Sequence, residues 1–155
     1  MPNITVDYAK TDADTAAVKQ LFLDYLEFVE DFLGESLGFQ KTDEEFTSFP
    51  AFYDRLYLAK LDNVPVAACG LKPFKDDICE LKRLYCRPEG RGNGLGRKLI
   101  ELCLKDAKDK NYTKIYLDTD HGLVHANSIY EALGFKDIER YYDNPMESRF
   151  MARDL

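Results

Sequence analysis

The sequence predicts a mixed α/β fold, one sheet of parallel and antiparallel strands with helices covering its faces. Three observations predict it. Long stretches with apolar residues at helical spacing alternate with short β-type runs. A strand–helix–strand unit between Ile78 and Asp118 demands a right-handed parallel crossover. Paired β-type runs on either side of that unit read as antiparallel hairpins. At 155 residues the chain makes a single domain, 1–155. A chain of this size buries about 70% of its unfolded surface and needs no disulfide or metal staple.

The elements follow in order. Ile4 to Tyr8 is a short strand. Thr11 and Asp14 have the spacing of a capping box and start a helix that runs to about Phe32. Its apolar positions, Ala17, Leu21, Phe22, Tyr25, Leu26, Phe28, Val29 and Phe32, recur near every 3.6 residues. Gly34 stops it. Thr42 and Glu45 repeat the capping-box spacing and open a short helix through Phe49, ended by Pro50. Arg55–Leu61 and Val64–Lys72 form a hairpin about Asp62-Asn63, with Pro73 as its stop. Asp76-Asp77 turns the chain into a third strand, Ile78–Arg87, ended by Pro88. A helix from Gly94 to Lys110 carries the stripe Leu95, Leu99, Leu102, Cys103 and Ala107. Lys114–Asp118 is a strand and Val124–Leu133 a short helix capped by Gly134. Strands Lys136–Tyr142 and Ser148–Asp154 flank the turn Asp143-Asn144-Pro145.

Composition excludes several classes of function. With 21 Lys plus Arg against 28 Asp plus Glu, the net charge of −7 opposes general nucleic-acid binding, which needs a basic face. No apolar run reaches the ~20 residues of a membrane span, and the N-terminal residues lack a signal peptide's basic and apolar regions. Cys69, Cys79, Cys86 and Cys103 form no CxxC pair and read as reduced thiols of a cytoplasmic protein. His121 and His125 have no HExxH context, so no metal site is expected.

The chemistry concentrates in a glycine cluster. Gly90, Gly92, Gly94 and Gly96 join the third strand to the following helix. Glycines let backbone approach a ligand closely, and a helix start presents unpaired N–H groups to an anion. Arg91 and Arg97 add cationic donors, so a phosphate or pyrophosphate is the expected occupant. A P-loop is excluded because no GxxxxGK[ST] is present. A dinucleotide fingerprint fails because Arg97 stands where the third glycine belongs.

Arg91-Gly92-Asn93-Gly94-Leu95-Gly96 resembles the [RQ]-x-x-G-x-[GA] acyl-CoA pyrophosphate loop of the GNAT N-acetyltransferase superfamily. The preceding Glu80 to Glu89 is similar to that superfamily's fourth strand, ELxRLYVxPE, and Ala126 with Tyr130-Glu131-Ala132-Leu133-Gly134-Phe135 to its A-x-x-x-Y-E-x-L-G-F block. Tyr141 to Pro145 resembles a bacterial subgroup of small, uncharacterised members. The resemblance implies a GNAT-like fold whose central strands splay around the acyl-CoA, here between the strands Ile78–Arg87 and Lys114–Asp118. It implies acetyl-CoA as acyl donor and no metal. The backbone of Arg91, Gly92, Asn93, Gly94, Leu95, Gly96 and Arg97 would hold the pyrophosphate. Leu84, Tyr85 and Cys86 would lie along the pantetheine arm, with an N–H near Cys86 holding the oxyanion.

The resemblance also implies two catalytic residues. Tyr130 matches the family's thiol-proximal tyrosine, the general acid for the leaving thiolate; the alternative is an aromatic packed between helix and sheet. Glu80 lies 11 residues before Arg91, the spacing of the general-base glutamate in the histone-acetylating branch; the alternative is a salt bridge with Lys82 or Arg83. Leu123 departs from the family, which commonly has a CoA-contacting Asn there, and the role is not carried to Asn127. His125 reads as a solvated loop residue.

The expected activity is direct transfer of an acetyl group from acetyl-CoA to a primary amine of a small molecule or peptide. The eight acidic residues between Asp24 and Glu45 favour a cationic acceptor or form a solvated helix face, and Tyr141 and Tyr142 offer an aromatic wall. Two alternatives remain open at this stage: a longer acyl donor, and a non-catalytic acyl-CoA-binding regulatory module. Neither nucleic acid nor membrane is expected as a partner, and a homodimer is among the open oligomeric states.

Overall fold

The computed structural model describes residues 2–33, 42–47, 49–142 and 148–155. In chain order the elements are β1 (Ile4–Tyr8), α1 (Asp12–Leu33), α2 (Thr42–Thr47), β2 (Arg55–Leu61), β3 (Val64–Lys75), β4 (Ile78–Cys86), α3 (Leu95–Asp109), β5 (Lys114–Asp120), α4 (Val124–Ala132), β6 (Lys136–Asp137) and β7 (Ser148–Asp154). A short 3₁₀ turn, Pro88–Gly90, separates β4 from the glycine loop.

The strands make one sheet in the order β1-β2-β3-β4-β5-β7-β6. Among the described residues only β4 and β5 run parallel; the other pairs are antiparallel. Both faces are covered, and the alternation in β2 shows how. Tyr57 and Ala59 point into the core cluster built with Leu95, Leu99, Cys103 and Ala107 of α3. Leu56 and Leu58 point into a second cluster with Val18, Leu21 and Phe22 of α1. A period-2 strand buried on both sides has to be apolar almost throughout, as RLYLAKL is.

Local chemistry sets the turns. Asp62 and Asn63 both take positive φ, 50° and 68°, the pattern of a two-residue hairpin turn with the strands' own twist. The Thr11 hydroxyl accepts the Asp14 N–H at 3.0 Å, as a cap should. The return bond departs from the capping-box expectation, because the Asp14 carboxylate takes the N–H of Lys10 rather than that of Thr11.

Other boundaries differ for identifiable reasons. β3 continues through Pro73 to Lys75. Its partner β2 begins opposite Leu71, so the N–H that proline lacks has no ladder partner to lose on that edge. β4 stops at Cys86, and the Arg87 N–H instead reaches the Val66 carbonyl at 2.8 Å. α2 ends at Thr47, short of Phe49. β6 is only Lys136–Asp137, where a strand to Tyr142 is expected. The chain leaves the sheet edge there because Tyr141 and Tyr142 turn towards carboxylates on β4 and β5. The proposed stop at Gly34 and the turn at Asp143-Asn144-Pro145 lie outside the described residues.

Candidate active site

The parallel pair at the centre of the sheet is short. β4 and β5 pair through Ile78, Cys79 and Glu80, opposite Lys114, Ile115 and Tyr116, and no further. From Leu81 onward the two strands part. β5 stays paired with β7 on its other side, so its exposed edge faces the gap. The separation coincides with a bulge in β4. Arg83 has φ 61°, and the register against β3 shifts between Ala68 and Gly70. That strained backbone is anchored by its own side chain. The Arg83 guanidinium lies 2.9 Å from Glu45 in the protein interior, and Tyr53 donates its hydroxyl to the same carboxylate. Burial acts against the charge of Arg83, but Glu45 outweighs it and holds the guanidinium firmly protonated.

The gap opens into a cavity of about 800 Å³. One wall is the end of β4, Leu84, Tyr85 and Cys86. A second is the glycine loop and the start of α3, with Arg91, Gly92, Gly94, Leu95, Gly96 and Arg97. A third is the β5–α4 connection with Leu123 and the first turn of α4, where His125 lies on the helix and not in a loop. The last is an aromatic row on α1, Tyr25, Phe28 and Phe32.

The loop's geometry suits an anion. Gly92 and Gly94 have φ 85° and 69°, and open space lies where a Cβ would stand at either. Gly94 occupies the N-cap of α3 without a side-chain cap, so the helix's first N–H groups are left for an external acceptor. Asn93 departs from the other loop residues. Its side-chain amide donates to the carbonyls of Gly90 and Arg91, at 3.0 and 3.3 Å, and braces the loop instead of lining the cavity. Arg91 donates to the Cys86 carbonyl at 3.2 Å and lies over the ring of Phe28. The Cys86 thiol is pushed up in pKa by burial, so it rests protonated.

The two expected catalytic residues lie apart from the large cavity's wall. Tyr130 is 6% exposed and packs edge-on against Phe135 at 5.8 Å. Burial first, then the nearby Tyr25, Cys69 and Asp118, hold its hydroxyl protonated well above the ordinary phenol range. Glu80 stands at the last paired rung of β4 and β5, 4% exposed, and accepts the Tyr141 hydroxyl at 2.5 Å. It bridges to neither Lys82 nor Arg83. Lys82 reaches Asp118 on β5 at 3.8 Å, and Arg83 takes Glu45.

Sequence reasoning placed other residues differently. Glu45, expected as a helix cap and a member of an acidic rim, is fully buried. Asp24 of that rim pairs with Arg87 at 2.8 Å. Asn127 is a packing residue, receiving the Thr119 hydroxyl and donating to the Asp120 carbonyl. Tyr25, Phe28 and Phe32 carried the same periodic signal as the core residues of α1, so nothing local separated the site-facing row from the core. Asp118 was read only as the end of a strand. It borders a second, narrow cavity of about 30 Å³ with Tyr25, Leu81, Lys82 and Arg83.

Residues 17–135 match the model of the Acetyltransferase (GNAT) family. An uncharacterised N-acetyltransferase of Schizosaccharomyces pombe is 33% identical over 150 residues, covering 93% of this chain and 90% of that protein. The uncharacterised N-acetyltransferase YjgM of Escherichia coli is 33% identical over 86 residues, 54% of this chain and 52% of that one. Among solved structures, an acetyltransferase of Streptococcus agalactiae superposes with a TM-score of 0.78 at 22% identity, covering 98% of both chains. The PaiA N-acetyltransferase of Thermoplasma acidophilum, solved in complex with coenzyme A, superposes with a TM-score of 0.72 at 18% identity over 99% of each chain. This chain therefore belongs to the GNAT family of acetyltransferases, and its seven-stranded mixed sheet flanked by helices is the fold of those structures.

Proposed function

We propose that this protein transfers an acetyl group from acetyl-CoA to a primary amine by direct attack. The observation that carries the reading is the convergence on one cavity of an uncapped helix start, an unpaired strand edge and the fork between β4 and β5. The N–H groups of Arg91 to Gly96, with that of Arg97, hold the pyrophosphate. The open edge at Leu84 and Cys86 pairs with the pantetheine amides as an added strand would. The thioester then enters the fork. The coenzyme A bound by the Thermoplasma PaiA protein supports a donor of this type.

The amine nitrogen bonds to the thioester carbonyl carbon, and a strand N–H near Cys86 stabilises the oxyanion. The C–S bond breaks, and the sulfur takes the hydroxyl proton of Tyr130. The amine's proton passes to one carboxylate at the fork, where Glu80 stands on the last paired rung and Asp118 beyond it. The raised pKa of Cys86 supports direct transfer, because a covalent acetyl-enzyme needs a ready thiolate.

Calorimetry with acetyl-CoA, followed by CoA-thiol release with a panel of primary amines and acyl-CoAs of increasing chain length, tests the reading. Micromolar binding of acetyl-CoA and release that depends on one class of amine are expected. Tight binding without transfer to any amine would favour the regulatory module. A chain that binds no acyl-CoA would sink both.

A further inference from the structure

We propose that Asp118 is the catalytic residue that receives the proton of the acceptor amine; the assignment rests on the acetyl-transfer reading above. Asp118 lies on β5 two residues beyond Tyr116, the last residue that β5 pairs with β4, so its backbone belongs to the open side of the fork. Its side chain is 9% exposed. Its carboxylate borders the 30 Å³ cavity, which has room for about one water molecule. Tyr25 lines this small space and the large cavity alike, so the two lie on either side of one residue. A carboxylate beside a one-water space at the fork can take a proton directly or through that water.

Glu80 is placed otherwise. It belongs to the last paired rung, borders neither cavity, and holds the Tyr141 hydroxyl. The rings of Phe74, Tyr116 and Tyr141 pack on one another beside it, with centroids 4.8 to 5.7 Å apart. This is the surrounding of a pin that fastens the strap after β6 to the sheet.

General base and general acid must reach the nitrogen and the sulfur borne by the same tetrahedral carbon. The charge of Asp118 bears on the hydroxyls of both Tyr25 and Tyr130. The groups facing Asp118 include Lys82 and Arg83 of β4, Tyr25 of α1, Tyr130 of α4, and Tyr141 and Tyr142 beyond β6. Tyr142 donates its hydroxyl to the Asp118 carboxylate at 2.7 Å, and the Lys82 ammonium stands 3.8 Å from it. A carboxylate so held is placed to take the proton in question. Once the nitrogen has bonded to the carbonyl carbon it is a cationic centre far more acidic than a free ammonium. The C–N bond forms, the N–H proton passes to Asp118, the C–S electron pair leaves on sulfur, and sulfur takes the Tyr130 proton. Solvent then returns one proton to Tyr130 as Asp118 releases one.

The test follows kcat/KM from pH 5 to 9 with the fastest amine of the panel, alongside acetyl-CoA affinity and melting temperature. Asp118→Asn is expected to lower kcat about 100-fold or more, to flatten the acidic limb, and to keep acetyl-CoA affinity within about twofold. Tyr142→Phe keeps the carboxylate but removes the hydroxyl that orients it, so kcat is expected to fall several-fold with acetyl-CoA affinity unchanged. Glu80→Gln keeps the limb where it is and lowers the melting temperature. A structural role for Asp118 predicts the reverse for its own variant: a lower melting temperature with the profile's shape retained. An acidic limb that survives in Asp118→Asn, or that disappears in Glu80→Gln, overturns the assignment while leaving the transferase reading in place. Should Asp118→Asn fail to fold, a Tyr142→Phe variant with the kcat of the unaltered protein overturns it equally. Absence of acetyl-CoA binding, or of turnover on every amine, overturns the transferase reading and this assignment with it.

Discussion

Arg83 and Glu45 meet in the protein interior, the guanidinium Nη2 2.9 Å from Oε1, with side chains 4% and 0% exposed. Arg83 is also the residue whose left-handed backbone bends β4 where it parts from β5. Glu45 comes from α2, far away in sequence. One ion pair therefore ties α2 to the bulge where the sheet opens.

Breaking this pair from one side is expected to be costly. Glu45→Ala leaves a buried guanidinium and the Tyr53 hydroxyl without their carboxylate. The expected loss is about 3–5 kcal/mol, which for a chain of this length lowers the melting temperature by roughly 10 °C. Replacing both charges by apolar residues of similar volume, Glu45→Leu with Arg83→Met, should recover much of that loss. Thermal denaturation of the three chains checks this, and equal destabilisation by the single and double changes would contradict it.

Gly94 offers a test of the anion site with little risk to the fold. A side chain there meets open space but must take φ 69°, a strain of about 1–2 kcal/mol. The same side chain occupies the approach to the first N–H groups of α3. Gly94→Val is expected to keep its circular dichroism spectrum and to lose about tenfold or more in acetyl-CoA affinity. Unchanged affinity in a folded variant would remove the pyrophosphate from this loop.

Tyr130→Phe removes the hydroxyl and keeps the ring against Phe135. As the proton donor to the departing thiolate, Tyr130 should carry roughly 10- to 100-fold in kcat with little effect on the acetyl-CoA KM. Steady-state kinetics decide it. An unchanged kcat would mean that solvent protonates the thiolate and that Tyr130 is a packing residue.

The parts of the fold legible in the sequence were those fixed by near neighbours. The 3.6-residue period of α1 and α3, the Asp62-Asn63 turn and the glycine run each act within a few residues. The failures share one cause, a partner far along the chain. β6 stops early because Tyr141 and Tyr142 bond to Glu80 and Asp118, residues of two other strands. The capping spacing of Glu45 is overridden by Arg83. The apolar period of α1 is continuous, yet Leu21, Phe22 and Leu26 enter the core while Tyr25, Phe28 and Phe32 face the cavity. The loop announced itself through its glycines, whereas Asp118 matters only through the fork, which no local pattern encodes.

The start of α1 carries a pH-dependent contribution that can be signed. The Asp14 carboxylate lies 3.0 Å from the Lys60 ammonium and accepts the Lys10 N–H at 3.2 Å. The Lys60 bond first, and then the Lys10 amide, hold its pKa below the usual carboxylate value. Both bonds favour the charged form, so they stabilise the folded chain at pH values above the unfolded pKa of about 3.9. That contribution disappears as the pH falls through the lower folded value. The Asp14 side chain is 17% and Lys60 32% exposed, so water and salt screen the pair. Asp14→Asn is therefore expected to cost only about 0.5–1 kcal/mol at pH 7. At pH near 3 and below, the variant and the unaltered chain should converge in stability. Urea unfolding at the two pH values measures both differences. A penalty of equal size at neutral and acid pH would show that the charge of Asp14 contributes nothing and that its cost lies in packing alone.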